Sequence, residues 1–158
     1  MAWTTPKTNW TTGELVTAQD MNAVGANLAV LKDPATALYV TSADAYAAIA
    51  TFADIDSTNL SLEITTAGGD VLVHFCGVMK GKYSSIDIYL DIDVDGNRLG
   101  GDKGILAVWM PRQHQVVSFS RLIQNLSAGS HTFKLQWKND GLNGTYLIAG
   151  AQFWVREI

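Results

Sequence analysis

The sequence predicts a mainly β protein: an antiparallel β-sandwich or jelly roll of about eight strands, preceded by an extended arm and one short α-helix. Three observations carry this. Apolar residues recur at every second position from residue 60 onward, turn residues punctuate that pattern about every ten residues, and no helical periodicity returns after residue 32. The chain of 158 residues, 47% hydrophobic and 16% charged, is long enough for one domain with a real core and a modest extension. The expected organisation is a docking arm and helix over 1–34, a connector with short strands over 35–59, and a jelly-roll body over 60–158, to which 35–59 could also belong.

Residues 1–16 are polar, rich in Thr and interrupted by Pro6 and Gly13, yet they carry Trp3 and Trp10. Such a segment has little core of its own, so the two tryptophans read either as anchors onto another surface or as residues folded back on the body. Residues 17–32 read as the helix. Thr17 is a natural N-cap, Asp20 stands at the position of a capping box, and Val16 can staple onto Met21. Met21, Val24, Leu28 and Leu31 follow a three-four-three spacing, the seam pattern of a coiled coil. Two heptads are too short to hold alone, so the stripe must pack on the chain's own sheet or on copies of itself. Asp33-Pro34 ends the helix, because a residue before proline avoids the α region.

Residues 35–59 are rich in Ala, Thr and Ser with weak periodicity, and suggest short strands near Leu38–Thr41 and Ile49–Ile55. Beyond them Leu60, Leu62 and Ile64 alternate. Val71 to Met79 is apolar on both faces, and Ile105–Met110, Val116–Ile123, His131–Trp137 and Tyr146–Glu157 complete the strands. Gly68-Gly69, Gly81, Gly100-Gly101, Gly129 and Asn143-Gly144 supply the turns between them. The strong final strand, expected in mid-sheet, points to a jelly roll of the tumour-necrosis-factor (TNF-like) type.

The stretch over residues 84–97 is the most informative. Ile86, Ile88, Leu90, Ile92 and Val94 point one way, while Asp87, Tyr89, Asp91, Asp93 and Asp95 point the other, up to an Asp95-Gly96 turn. The same letters spell the opening of a calcium loop, with Asp91, Asp93, Asp95 and Asp102 at ligand spacing. A calcium loop must curl from its first ligand, whereas Ile92 and Val94 continue an unbroken strand pattern. The reading is therefore a hairpin strand whose acidic face is solvent or rim, with no metal.

The net charge of −4 and the scattered 11 basic residues give no electrostatic reason for a nucleic-acid partner. No apolar run is long enough to span a bilayer, and the first residues lack the basic and apolar regions of a signal peptide, so a soluble protein without membrane partners is expected. One cysteine excludes an internal disulfide framework. His74 and Cys76 lie two apart, but on a strand apolar on both faces they read as buried structural residues rather than a nucleophile pair. No catalytic motif occurs, so no catalytic residues, no cofactor and no enzyme activity are expected. Trp109, Trp137, Trp154, Tyr83, Tyr89 and Tyr146 could form a sugar-stacking platform, though most occupy positions expected to face the core.

Trp3 to Trp10, the phrase Gly13-Glu-Leu-Val-Thr-Ala-Gln-Asp-Met-Asn22, and the run Asn27-Leu28 to Leu31-Lys-Asp-Pro34 resemble the opening of small tailed-bacteriophage virion structural proteins. Leu126 to Trp137 and Ala151 to Glu157 are similar to the jelly-roll ends of the same group, and residues 35–59 lie outside the resemblance. The resemblance implies a trimeric, β-rich module on the virion (phage particle surface), made in the host cytoplasm, with Trp3 and Trp10 in the docking arm. It supplies no catalytic residues. The function expected is that of a homotrimeric capsid decoration (cement) protein on the head, with the stripe Met21, Val24, Leu28, Leu31 in the oligomer. Its partners are itself and phage capsid or tail proteins. The alternative is a tail- or fibre-tip module that binds host surface glycan.

Overall fold

A computed structural model describes residues 7–32, 35–38, 45–82, 86–139 and 144–158, without the side chains of 29–38 and 47. After the helix α1 (Ala18–Lys32) come eleven strands: β1 (Ala35–Leu38), β2 (Ala45–Ala47), β3 (Ala53–Asp54), β4 (Ser61–Thr66), β5 (Gly69–Gly81), β6 (Ile86–Val94), β7 (Asn97–Arg98), β8 (Leu106–Met110), β9 (Gln115–Leu126), β10 (Gly129–Lys138) and β11 (Thr145–Glu157). Every pairing is antiparallel. One sheet runs β1-β11-β5-β9 with β2 also on β11. The other runs β3-β10-β6-β7, with β4 on β10 and β8 on β6. The two form a jelly-roll sandwich, and the final strand lies between β1 and β5, inside its sheet.

The count exceeds eight because β2, β3 and β7 are two or three residues long and leave almost no periodic signal. The connector is part of the sandwich: β1 and β2 pair with β11, and β3 pairs with β10. Of the first expected short strand, Leu38 is the last residue of β1 and residues 39–41 lie outside the described residues. Of the second, over residues 49–55, only Ala53–Asp54 is strand.

The period-2 pattern does what it predicts on the inner faces. Val71, Val73, Phe75 and Met79 from β5, and Leu147, Phe153 and Val155 from β11, meet Ile88, Leu90, Ile92, Phe133, Leu135 and Trp137 of the other sheet, all buried. Gly77 lies in the same row as Phe75 and Met79. A Cβ there would come within 2.7 Å of the Phe75 ring and 2.9 Å of Leu147, so only glycine leaves room for them. Burying these apolar faces is the main favourable term for the body. No described helix is long and apolar enough to cross a membrane.

Candidate functional site

The acidic stretch is the first place where structure and expectation part. Asp91 and Asp93, expected on a solvent or rim face, are buried at 0% and 6% exposure. The chain after the Asp95-Gly96 turn runs back along the edge of β6, and its Arg98 and Gly100 reach over to Asp91. Leu99 N–H donates to Ile92 O at 3.0 Å and Ile105 N–H to Leu90 O at 2.9 Å. Asp91 is fully engaged there. Its Oδ1 accepts from the Gly100 N–H and the Ile92 N–H, both at 2.9 Å, and its Oδ2 accepts from Arg98 Nη1 at 3.0 Å. Phe52 lies over the cluster, with the Arg98 guanidinium 4.1 Å from its ring centre. Burial pushes the Asp91 carboxyl above the usual carboxylate range, and the two N–H groups and Arg98 pull against it.

The other members of the calcium spacing have separate duties. Asp93 Oδ1 accepts the Gly96 N–H at 2.9 Å and so fixes the turn, in which Asp95 itself is left-handed at φ 53°. Asp95 reaches across to β10, accepting the Thr132 N–H at 2.8 Å and pairing with His131 Nδ1 at 2.6 Å. Asp102 is exposed. Asp91, Asp93, Asp95 and Asp102 therefore do not converge, and no group of described residues is arranged to hold a metal ion. Arg98 supplies the positive charge that this run of carboxylates needs.

His131 is nearly buried, and both its nitrogens face acceptors: Nδ1 the Asp95 carboxylate, Nε2 the Ser127 carbonyl at 2.9 Å. Two facing acceptors suit a ring that donates from both nitrogens, and so favour the imidazolium form. The Asp95 carboxylate, and then the Ser127 carbonyl, hold its pKa above the ordinary value, while His131 holds the Asp95 carboxyl below its own. A histidine raised in the folded state stabilises fully below about pH 6.5 and loses that stabilisation as pH rises through the folded pKa; a lowered aspartate stabilises above about pH 3.8 and loses it as pH falls. The pair thus works best between those limits. Asp95→Asn should lower the thermal midpoint at pH 5.5 by the equivalent of at most about 1 kcal/mol, the range for a half-exposed pair. It should cost clearly less at pH 9. An equal loss at both pH values would mean that His131 is not charged in the fold.

The arm and helix form a second region. Thr17 caps α1 as expected: the Asp20 N–H donates to Thr17 Oγ1 at 3.2 Å and the Thr17 N–H to Asp20 Oδ2 at 2.9 Å. Trp10 Nε1–H donates to Lys7 O at 2.9 Å, and Lys7 pairs with Glu14. Trp10 is 42% exposed, and Trp3 lies outside the described residues. The stripe is open: Met21 is 61%, Val24 44% and Leu28 61% exposed, and Val16 is exposed beside them. The Leu31 side chain is not among those described. The buried position among the described helix side chains is Asn27, and α1 has no described strand as a close packing neighbour. Among the described residues, no strand covers Met21, Val24 or Leu28.

The two outward sheet faces differ in character. On the first sheet, Leu72, Val78, Ile148, Tyr146 and Trp154 are half-buried, while Leu122 and Val116 are exposed. His74 and Cys76 lie here, outward and half-buried rather than in the core. His74 Nδ1 is 2.9 Å from Ser120 Oγ, and its ring stacks on Trp154 at 5.1 Å. The second sheet turns outward Trp109, 61% exposed, with Asp87, Ala107, Tyr89 and Lys138. Of the six aromatics expected mostly in the core, only Trp137 is there, Tyr83 lies outside the described residues, and the other four face outward. Alternation gives two faces but not which one is inside when both carry apolar residues, and a strand such as β8 is too short to decide it.

No family model matches this chain, and no curated protein does. Among solved structures, it is similar to TmCBM61, solved in complex with β-1,4-galactotriose, at 16% identity and a TM-score of 0.39, covering 61% of each chain. A family two carbohydrate esterase from Clostridium thermocellum, in complex with cellohexaose, overlaps 61% of this chain and 28% of its own at 16% identity and TM-score 0.27. Dimeric latent PorU from Porphyromonas gingivalis overlaps 79% of this chain and 13% of its own at 10% identity and TM-score 0.35. This chain thus spans less than two thirds of each of them, and every superposition is partial.

Proposed function

We propose that this chain is a non-enzymatic structural protein of a tailed-phage particle: a jelly-roll body that self-associates, as a homotrimer, and is mounted by its N-terminal arm and helix. Its proposed place is the head surface, as a capsid decoration protein. The observation that carries the reading is the helix α1, whose stripe Met21, Val24, Leu28 is left open by its own chain. An apolar stripe at coiled-coil spacing is stable in water only when other chains cover it. The apolar outward face of the first sheet is a further surface for contact between copies, and the sequence resemblance of residues 3–34 to phage virion proteins supplies the setting. Each docked trimer would add buried area across neighbouring shell subunits, so that the shell resists the pressure of packaged DNA.

The test uses the full chain and a form lacking residues 1–16. The full chain should sediment as a trimer at micromolar concentration and co-sediment with empty heads. The truncated form should remain a folded oligomer and stay in the supernatant. A monomer in the first measurement, or retained head binding in the second, would overturn the corresponding part of the reading. The second reading, a tail- or fibre-tip receptor-binding module, is favoured by the exposed Trp109 and its aromatic neighbours. It predicts co-sedimentation with tails and none with heads.

A further inference from the structure

The outward face of the second sheet sets two aromatic rings, Trp109 and Tyr89, beside charged groups. Register sets the layout. Tyr89 on β6 stands opposite Ala107 on β8 and Lys138 on β10, and Trp109 stands opposite Asp87, the next outward pair along the same strands. Phe52 enters from just before β3, and the Lys138 ammonium sits 5.0 Å from its ring centre and 5.4 Å from that of Tyr89. Trp109 and Tyr89 therefore stand on neighbouring strands of one face, with the small Ala107 opposite Tyr89, while the Phe52 ring is taken up by Arg98 and Lys138.

The charges around the line sort into two groups. Arg98 is paired with Asp91, and Lys134 with Asp54, so neither pair has charge to offer. Asp87 and Lys138, flanking the rings, have no ion-pair partner among the described residues. Asp87 offers an acceptor, Lys138 has N–H groups to donate beside its contacts with the Phe52 and Tyr89 rings, and the two cancel in charge. A surface for a protein partner has an apolar centre with a polar rim. This one sets a charged group beside each of its two rings, Asp87 by Trp109 and Lys138 by Tyr89.

We propose that this face binds an uncharged oligosaccharide, laid along Trp109 and Tyr89. A pyranose has apolar C–H faces that stack on aromatic rings and an equatorial rim of hydroxyls that must be hydrogen-bonded. Asp87 accepts from such hydroxyls, and Lys138 donates to them. The zero net charge of the free pair disfavours an anionic sugar. The site is flat, so binding is weak, with a Kd of order 0.1–1 mM. The inference stands apart from where the particle mounts the protein, since it uses no residue of the arm, the helix or the first sheet.

The experiment is a calorimetric titration of the full chain with maltohexaose, cellohexaose, chitohexaose and a hexa-uronate, repeated with Trp109→Ala, Trp109→Phe and Val116→Ala. Trp109 is exposed, so its removal leaves the core intact, and Val116 is an equally exposed control on the opposite sheet. At least one neutral hexasaccharide should bind the unaltered chain at millimolar concentration. Trp109→Ala should weaken it about tenfold or more, Trp109→Phe should restore most of the affinity, and Val116→Ala should change nothing. No binding by any neutral probe, tighter binding of the hexa-uronate, or Trp109→Ala binding as well as the unaltered chain would overturn the proposal.

Discussion

Replacing Arg98 by alanine is expected to cost about 1–2 kcal/mol at neutral pH, because the Asp91 side of the pair is buried while Arg98 is exposed. The loss follows from what is left behind. Asp91 has no exposure, and without the guanidinium its carboxylate keeps only the Gly100 and Ile92 N–H groups. Burial already raises its pKa, and removing the one cation raises it further. An aspartate raised in the folded state costs stability when ionised and recovers it as pH falls through the folded pKa. The gap between Arg98→Ala and the unaltered chain should therefore be widest at pH 7 and narrow at pH 4.5. Urea unfolding at the two pH values measures this, and a gap that does not change with pH would show that Asp91 is not the group left exposed to the loss. Arg98→Ala also bares the Phe52 ring, a smaller term of the same sign.

Gly104→Ala should be more damaging, about 3 kcal/mol, for steric reasons. Gly104 has φ +66°, a left-handed conformation that costs an ordinary residue about 1–2 kcal/mol. The larger part is contact: a Cβ would stand 2.3 Å from Leu90 O, the acceptor of the Ile105 N–H that pins the returning loop to β6. Backbone cannot swing aside as a flexible side chain can, so the loop must lift. Lifting it separates Arg98 from Asp91 as well, and the double variant should lose clearly less than the two single losses added. Additive losses in urea unfolding would mean that loop and ion pair are independent.

These two residues show where a sequence stops being informative. Alternation from Ile86 to Val94 is enough to place a strand and its inner face, because period 2 is a local property. What covers the other face is not local. Arg98 sits seven residues from Asp91 and Phe52 thirty-nine, on segments with no periodic signal, and their meeting depends on β3 pairing with β10. A cation seven residues after an aspartate that sits mid-strand is the one available hint. The N-cap Thr17 and the coiled-coil stripe are legible for the same local reason. The exposed Trp109 is not, because five residues of an edge strand give too few alternations to tell an inward ring from an outward one. Most of the second sheet's outward face stays hidden on that account.

The openness of α1 has one more consequence, for inheritance rather than for attachment. Among the described side chains, those of the arm and the helix contribute nothing to the sandwich core, which draws on none before residue 45. Two chains recombined between the helix and β1 would each keep an intact interior. One arm and helix can then be joined to different bodies, and one body to a different N-terminal segment, without either having to be rebuilt.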